Sequence, residues 1–110
     1  MAVNAPFTPS GNTVTFTAGT TAPTPVQAVS TTLGGNQYRI LNAGSVTAFL
    51  GVGTTAAAAN SAAAVVTSSG QAIPLLAGTD EIITFLPNAY FTASTSSSSA
   101  VIYITPGDGS

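Results

Sequence analysis

The sequence predicts an all-β protein, a single-domain antiparallel β-sandwich or jelly roll of eight to nine short strands. Short clusters of Val, Ile, Leu and Phe recur along the 110 residues, separated by Gly, Pro, Ser, Thr and Asn. Turn signals fall roughly every 8 to 12 residues, the spacing of sandwiches. The one run of high helix propensity, Ala56-Ala57-Ala58-Ala59, is too short to hold a helix by itself. The length suits one hydrophobic core, since single domains cluster at about 100 to 150 residues, and nothing repeats at the period of a solenoid or propeller.

Each element has its own justification. Residues 1–11 read as an extended N-terminal arm, because Pro6 and Pro9 flank Phe7 and remove both helical geometry and ladder donors; residues 12–110 read as the sandwich. In Thr13-Val14-Thr15-Phe16-Thr17-Ala18 strict alternation puts Val14, Phe16 and Ala18 on one face and three threonines on the other, a half-buried strand. After Pro23 and Pro25, Val26 to Thr31 reads as a weaker strand whose proximity to proline suggests a sheet edge. Gln37 to Asn42 and Ser45 to Val52 flank Asn42-Ala43-Gly44, a loop of the kind that closes a β-hairpin. Thr54 to Ala64 reads as a loop with a single helical turn. Ala64 to Thr67 and Gln71 to Leu76 read as short strands, Pro74 marking an edge or bulge. Glu81 to Leu86 and Ala89 to Ser94, joined at Pro87-Asn88, read as a second hairpin. Ala100 to Thr105 is the last strand, ending at Pro106-Gly107.

Composition then narrows the chemistry. The chain has one basic and three acidic side chains, Arg39, Asp80, Glu81 and Asp108, and no His, Cys or Trp. An ordinary domain is about a quarter charged, and a free monomer relies on mixed surface charge to avoid sticking to its copies. Acid-base work needs a titratable group with a partner, and Asp80 and Glu81, being adjacent on a strand, face opposite ways. Ser and Thr are plentiful, but no His or Lys is present to activate a hydroxyl, so no catalytic residue is expected and the protein reads as a non-enzyme. No metal site is expected either, since thiolates and imidazoles are absent and the acids lack the spacing of a calcium loop. Gly34-Gly35 and Gly51-Val52-Gly53 lack a following helix and a Lys, so they read as turns and imply no phosphate-bearing cofactor.

With a net charge of −2 and one cation, nucleic acid and anionic membrane surfaces are excluded as partners. No apolar run reaches the roughly 18 to 20 residues of a spanning helix. The N-terminus lacks the basic start and apolar stretch of a secretory signal, which points to a chain that stays where it is made. Arg39 can pair with one of the acids, although an exposed pair contributes only about 0 to 1 kcal/mol. The row Thr13, Thr15, Thr17 could begin an ice-binding array, but one rank is also what any exposed strand favours. Tyr38, Tyr90 and Tyr103 could line a glycan groove, yet tyrosine in a strand more commonly sits at the core edge with its hydroxyl on backbone or water.

Gln37-Tyr38-Arg39-Ile40-Leu41-Asn42-Ala43-Gly44, Val46 to Gly51, Pro87-Asn88-Ala89-Tyr90-Phe91 and Val101-Ile102-Tyr103-Ile104-Thr105-Pro106-Gly107 resemble small proteins encoded near the capsid genes of tailed bacteriophages, which are taken as head decoration or cement proteins. The resemblance runs from Gln37 onward and carries over no ligand or active-site residue. It implies a sandwich or jelly-roll subunit made in the host cytoplasm, located on the outside of an icosahedral capsid, and partnered by the major capsid protein and by copies of itself. A tail or fibre component, or a module binding host-surface glycan, is the alternative. The interface residues expected are Pro6, Phe7 and Pro9 on the arm, Arg39 as the lone cation, and Tyr38 and Tyr90 as amphipathic contacts.

Overall fold

A computed structural model describes residues 8–9, 11–29, 37–64 and 72–108. Its elements are β1 (Thr8–Pro9), β2 (Val14–Ala18), β3 (Val26–Gln27), β4 (Gln37–Asn42), β5 (Ala48–Gly53), α1 (Ala56–Ala62), β6 (Ile73–Leu75), β7 (Asp80–Thr84), β8 (Tyr90–Ser94) and β9 (Ala100–Asp108). They form two antiparallel sheets packed face to face. In the first, here sheet A, β4 lies on one side of β9, with β7 beyond it; β1 and β2 lie end to end on the other. Sheet B has the order β3-β8-β5-β6. After β2 every connection crosses between the sheets except that from β5 through α1 to β6. This double exchange of strands between two sheets is jelly-roll topology.

Alternation fills the space between the sheets. Phe16 and Ala18 from β2, Tyr38 and Ile40 from β4, and Ala100, Ile102 and Ile104 from β9 point inward from sheet A, meeting Ala48, Leu50, Leu75, Phe91 and Ala93 of sheet B. The rings of Tyr38 and Phe91 bridge the layers edge to face, centroids 4.8 Å apart at 63°, a geometry worth about 0.5–1.5 kcal/mol beyond the area it buries.

The two expected hairpins are corrected. β4 pairs with β7 and β9, whereas β5 pairs with β6 and β8, so Asn42-Ala43-Gly44 is a corner between sheets and not a hairpin turn. Pro87-Asn88 likewise carries the chain from β7 in sheet A to β8 in sheet B. Alternation and turn residues specify strands and breaks but not which strand is the neighbour. Here Asn42 decides. It is fully buried, and its Nδ2 donates to Val46 O (3.0 Å) and Leu75 O (2.9 Å) while Oδ1 accepts from Gly44 N (2.9 Å). Its backbone N–H donates to Thr79 O and its carbonyl accepts from Gly78 N, both at 2.9 Å. One side chain therefore ties the β4–β5 corner to β6, and its backbone holds the β6–β7 turn.

Three smaller expectations also change. Thr54 to Ala64 contains more than one turn of helix, because Thr55 caps α1 with Oγ1 accepting from Ala58 N at 3.1 Å. Gly51-Val52-Gly53 is strand, not turn, and a helix does follow it; a Cβ at Gly51 would lie 2.3 Å from Ala59 O, and one at Gly53 2.6 Å from Ala59 N. These glycines let α1 lie on the backbone of β5, which is why the absence of a side chain matters there. Finally, β9 runs past Thr105 through Pro106 to Asp108. The extension is paired, Gly107 lying opposite both Pro9 and Gln37. Of the weak strand expected from Val26 to Thr31, Val26–Gln27 forms the edge strand β3, and the remainder beyond Val29 lies outside the described residues, as do Val65 to Thr67.

Candidate interaction surface

The two sheets differ in what covers their outer faces. On sheet B, α1 lies across β5 and β8, with Ser94 Oγ donating to Ala63 O at 3.2 Å, and the segment before β3 closes over Thr92, whose hydroxyl donates to Pro23 O at 2.8 Å. Thr92 and Ser94 point away from the core yet are buried. Between α1 and that segment is an open groove of about 350 Å³, lined by Pro23, Thr24, Pro25, Ala56, Ala57 and Asn60 among others. None of its lining residues carries a charge, so it offers no acid, base or nucleophile activator.

Among the described residues, no element covers the outer face of sheet A. The registers set its side chains in rows: Thr105, Arg39 and Ile82 in one, Thr15, Tyr103, Leu41 and Asp80 in the next, Thr17 and Val101 in a third. Thr13 extends the first row through a 2.7 Å hydrogen bond between its hydroxyl and that of Thr105. Thr15, Thr17, Arg39, Asp80, Ile82 and Tyr103 are exposed, and Leu41, Val101 and Thr105 half-buried. Arg39 Nε and Nη2 both donate to Asp80 Oδ2, at 2.9 and 2.6 Å. The pair cancels the face's charge, leaving hydroxyls, methyls and the Tyr103 ring.

The expected pairing of Arg39 with an acid is thus present, and Asp80 and Glu81 do face opposite ways, opposite Leu41 and Ile40. Both side chains of the ion pair are about half exposed, so solvent screens it. Asp80→Asn is expected to change the unfolding free energy by less than about 1 kcal/mol in urea titration.

The interface residues expected from sequence fare differently. Pro6 and Phe7 lie outside the described residues. Pro9 is exposed in β1. Tyr90 is half-buried on the outer face of sheet B, opposite Gly53. Tyr38 is corrected: it has no exposed surface, its hydroxyl donates to Leu86 O and accepts from Ala89 N at 3.1 Å, and it is a core residue, not a surface contact. With Tyr38 inside, Tyr90 on sheet B and Tyr103 on sheet A, the three tyrosines do not share one groove. The threonine row likewise stays a single rank, since its neighbours across β9 are Val101, Tyr103 and Thr105. Leu41, Val101 and Ile82 were the residues missed; alternation alone places Leu41 beside Arg39, but the register needed to add Ile82 comes only with the topology.

Burial pushes the Tyr38 phenol above its ordinary value of 10.0, against the opposing pull of backbone hydrogen bonds at Ala89 and Asn88. A raised folded-state value means that the native state holds its proton longer than the unfolded chain. The contribution is whole below about pH 10 and is lost as pH rises through the folded-state value. Tyr38→Phe is expected to flatten this alkaline limb. At neutral pH it should cost about 1–3 kcal/mol, because Ala89 N–H loses its partner; denaturant titrations from pH 7 upward measure both.

Among the described residues no cluster of His, Cys, Asp or Glu could hold a metal ion, and no helix is long and apolar enough to cross a membrane. No family model matches the chain, and neither does any curated protein or solved structure.

Proposed function

We propose that this protein is a structural virion subunit, a decoration or cement protein that binds the outside of an icosahedral bacteriophage head and bridges capsomers. Its partners are the major capsid protein and copies of itself, and its role is non-catalytic. The observation that carries the reading is the outer face of sheet A, a broad, charge-cancelled surface of Thr, Val, Leu, Ile and Tyr. Such a face loses little on desolvation, because the one ion pair can stay together and the hydroxyls can trade water for backbone partners. Jelly rolls serve in viral capsids and in lectins alike, so the fold supports the reading only by analogy. Dispersal of the three tyrosines weighs against the glycan-binding alternative.

Repetition makes weak contacts effective. Each subunit detached from a lattice is held near its site by its neighbours' attachments, which raises its effective concentration. The test mixes the full-length protein with heads lacking it and images the pelleted particles by electron microscopy. Ordered density at repeated capsomer junctions, reduced at least tenfold in occupancy by Tyr103→Glu, is the expected result. A folded protein that leaves the heads bare overturns the reading and directs attention to tail, fibre or host-surface partners. Glu81→Gln is expected to leave head binding intact, because Glu81 lies opposite Ile40 and off this face.

A further inference from the structure

Sheet A ends on β7 (Asp80–Thr84), which among the described residues is paired on one side only, to β4. Natural edge strands are guarded against pairing with other chains by charged side chains, Pro, bulges or inward-pointing charges. β7 reads Asp-Glu-Ile-Ile-Thr; its two acids sit at its first two positions, and Ile82-Ile83-Thr84 carries no charge and no Pro. Among the described residues, three of the five exposed large apolar side chains also cluster in sequence about it: Ile82 within, Leu76 just before and Leu86 just after, at 52, 63 and 56 % exposure.

We infer that β7 pairs antiparallel with β7 of a second copy of this chain across a two-fold axis through Ile82, joining two A sheets into one. The strand's own sequence selects this register. With the axis normal to the sheet, paired residues must share a face, so the axis passes through a residue and not between two. An axis at Glu81 would set two carboxylates opposite each other, and one at Ile83 would leave Asp80 and Glu81 outside the ladder. At Ile82 all five residues pair: Asp80 with Thr84, Glu81 with Ile83, and Ile82 with itself. No acid faces an acid, and like charges directly opposite are what destabilise such a pair. Leu76 and Leu86, exposed just before and just after β7, flank the two ends of this contact. The outer faces of the two A sheets stay on one side. This inference goes beyond the decoration role and stands or falls without it.

The absence of cysteine makes the register readable. Directly opposed residues in an antiparallel pair have Cα atoms about 4.5–5.5 Å apart, inside the range of about 4.4–6.8 Å that a disulfide spans. Residue 84 is displaced from its own copy by four residues, about 13 Å. In the full chain at high concentration, Ile82→Cys is expected to form a covalent dimer under mild oxidation and Thr84→Cys is not. Asp80→Cys mixed with Thr84→Cys is expected to give the crossed dimer. Sedimentation equilibrium of the unmodified protein should show a dimer that Ile82→Lys dissociates at least tenfold more readily. A monomeric unmodified protein, a folded Ile82→Cys that stays unlinked, or a Thr84→Cys that links to itself as readily would each overturn the proposal. The first two are the results expected if another segment of this chain or a different protein occupies β7.

Discussion

Asn42→Leu is expected to lower the unfolding free energy by about 3 kcal/mol or more, a large share of the roughly 5–15 kcal/mol available to a domain. Leucine keeps the branched shape of the side chain but not its chemistry. Val46 O, Leu75 O and Gly44 N–H each lose the partner they now have in the Asn42 side chain, and a buried polar group left alone costs about 1–3 kcal/mol. Asn42→Asp separates hydrogen bonding from shape. Its carboxylate would set oxygens against the two carbonyls that now receive Nδ2 protons, in a fully buried site. The charged form is therefore disfavoured and the folded-state pKa lies above that of the unfolded chain. Stability of this variant relative to the parent is best below about pH 4, the unfolded carboxyl value, and declines as pH rises through the folded-state value. Urea midpoints of parent and variant across the acid range measure it. With three acidic side chains in the parent, background titration is small. A variant that lost no stability between acid and neutral pH would show that Asn42 does not bind the corner through its amide protons.

The second large effect is expected at Gly51. A Cβ there would stand 2.3 Å from Ala59 O, 2.5 Å from Ala63 N and 2.7 Å from Ala63 Cβ. The first two are backbone atoms and cannot rotate away, so Gly51→Val must displace α1 from the sheet. Overpacking of this kind costs about 1–3 kcal/mol, occasionally more, and the upper end is expected because Ala59, Ala62 and Ala63 lose their cover together. Gly78→Ala is the control. Gly78 has φ +73° with nothing within 4 Å of the added carbon, so its cost is conformational only, about 1 kcal/mol. Thermal unfolding ranks the variants, and faster hydrogen exchange of the Ala63 amide, now bonded to Ala59 O at 3.2 Å, reports the helix lifting. Equal losses at the two positions would mean that α1 does not seat on β5 by steric contact.

These two residues also mark where the sequence was legible and where it was not. β2 and β4 could be read almost residue for residue, since Val14, Phe16 and Ala18 alternate with threonine and Tyr38, Ile40 and Asn42 alternate with their neighbours. Alternation is a property of one strand in contact with one core. Pairing is a property of two strands distant in sequence, and both short Gly- or Pro-containing loops proved to be corners. Nothing local distinguishes an asparagine that closes a hairpin from one that is swallowed by a corner. Helix α1 was underestimated for a related reason: Thr55 caps it, but the stabilising surface is β5, whose paired glycines look like turn residues until the helix is placed on them. For the candidate surface, Arg39 was legible as a lone cation in need of an acid, whereas Tyr38 was misjudged, because a hydroxyl on an amphipathic ring gives no sign of whether water or Leu86 O receives its proton.

The position of β9 bears on how the chain reaches this state. The last strand is the centre of sheet A, flanked by β4 on one side and by β1 and β2 on the other, with Thr8 opposite Asp108 and Ala18 opposite Ala100. During synthesis β2 and β4 therefore emerge with a vacant lane between them that stays open until β9 follows. Closure of such long loops must precede the contacts that reward it, which places folding in the millisecond-to-second range typical of all-β domains. While it waits, the nascent chain carries unpaired strands of low charge that neighbouring ribosomes' products could join. Slower translation between β4 and β9 should accordingly lengthen that exposure and lower the yield of native protein.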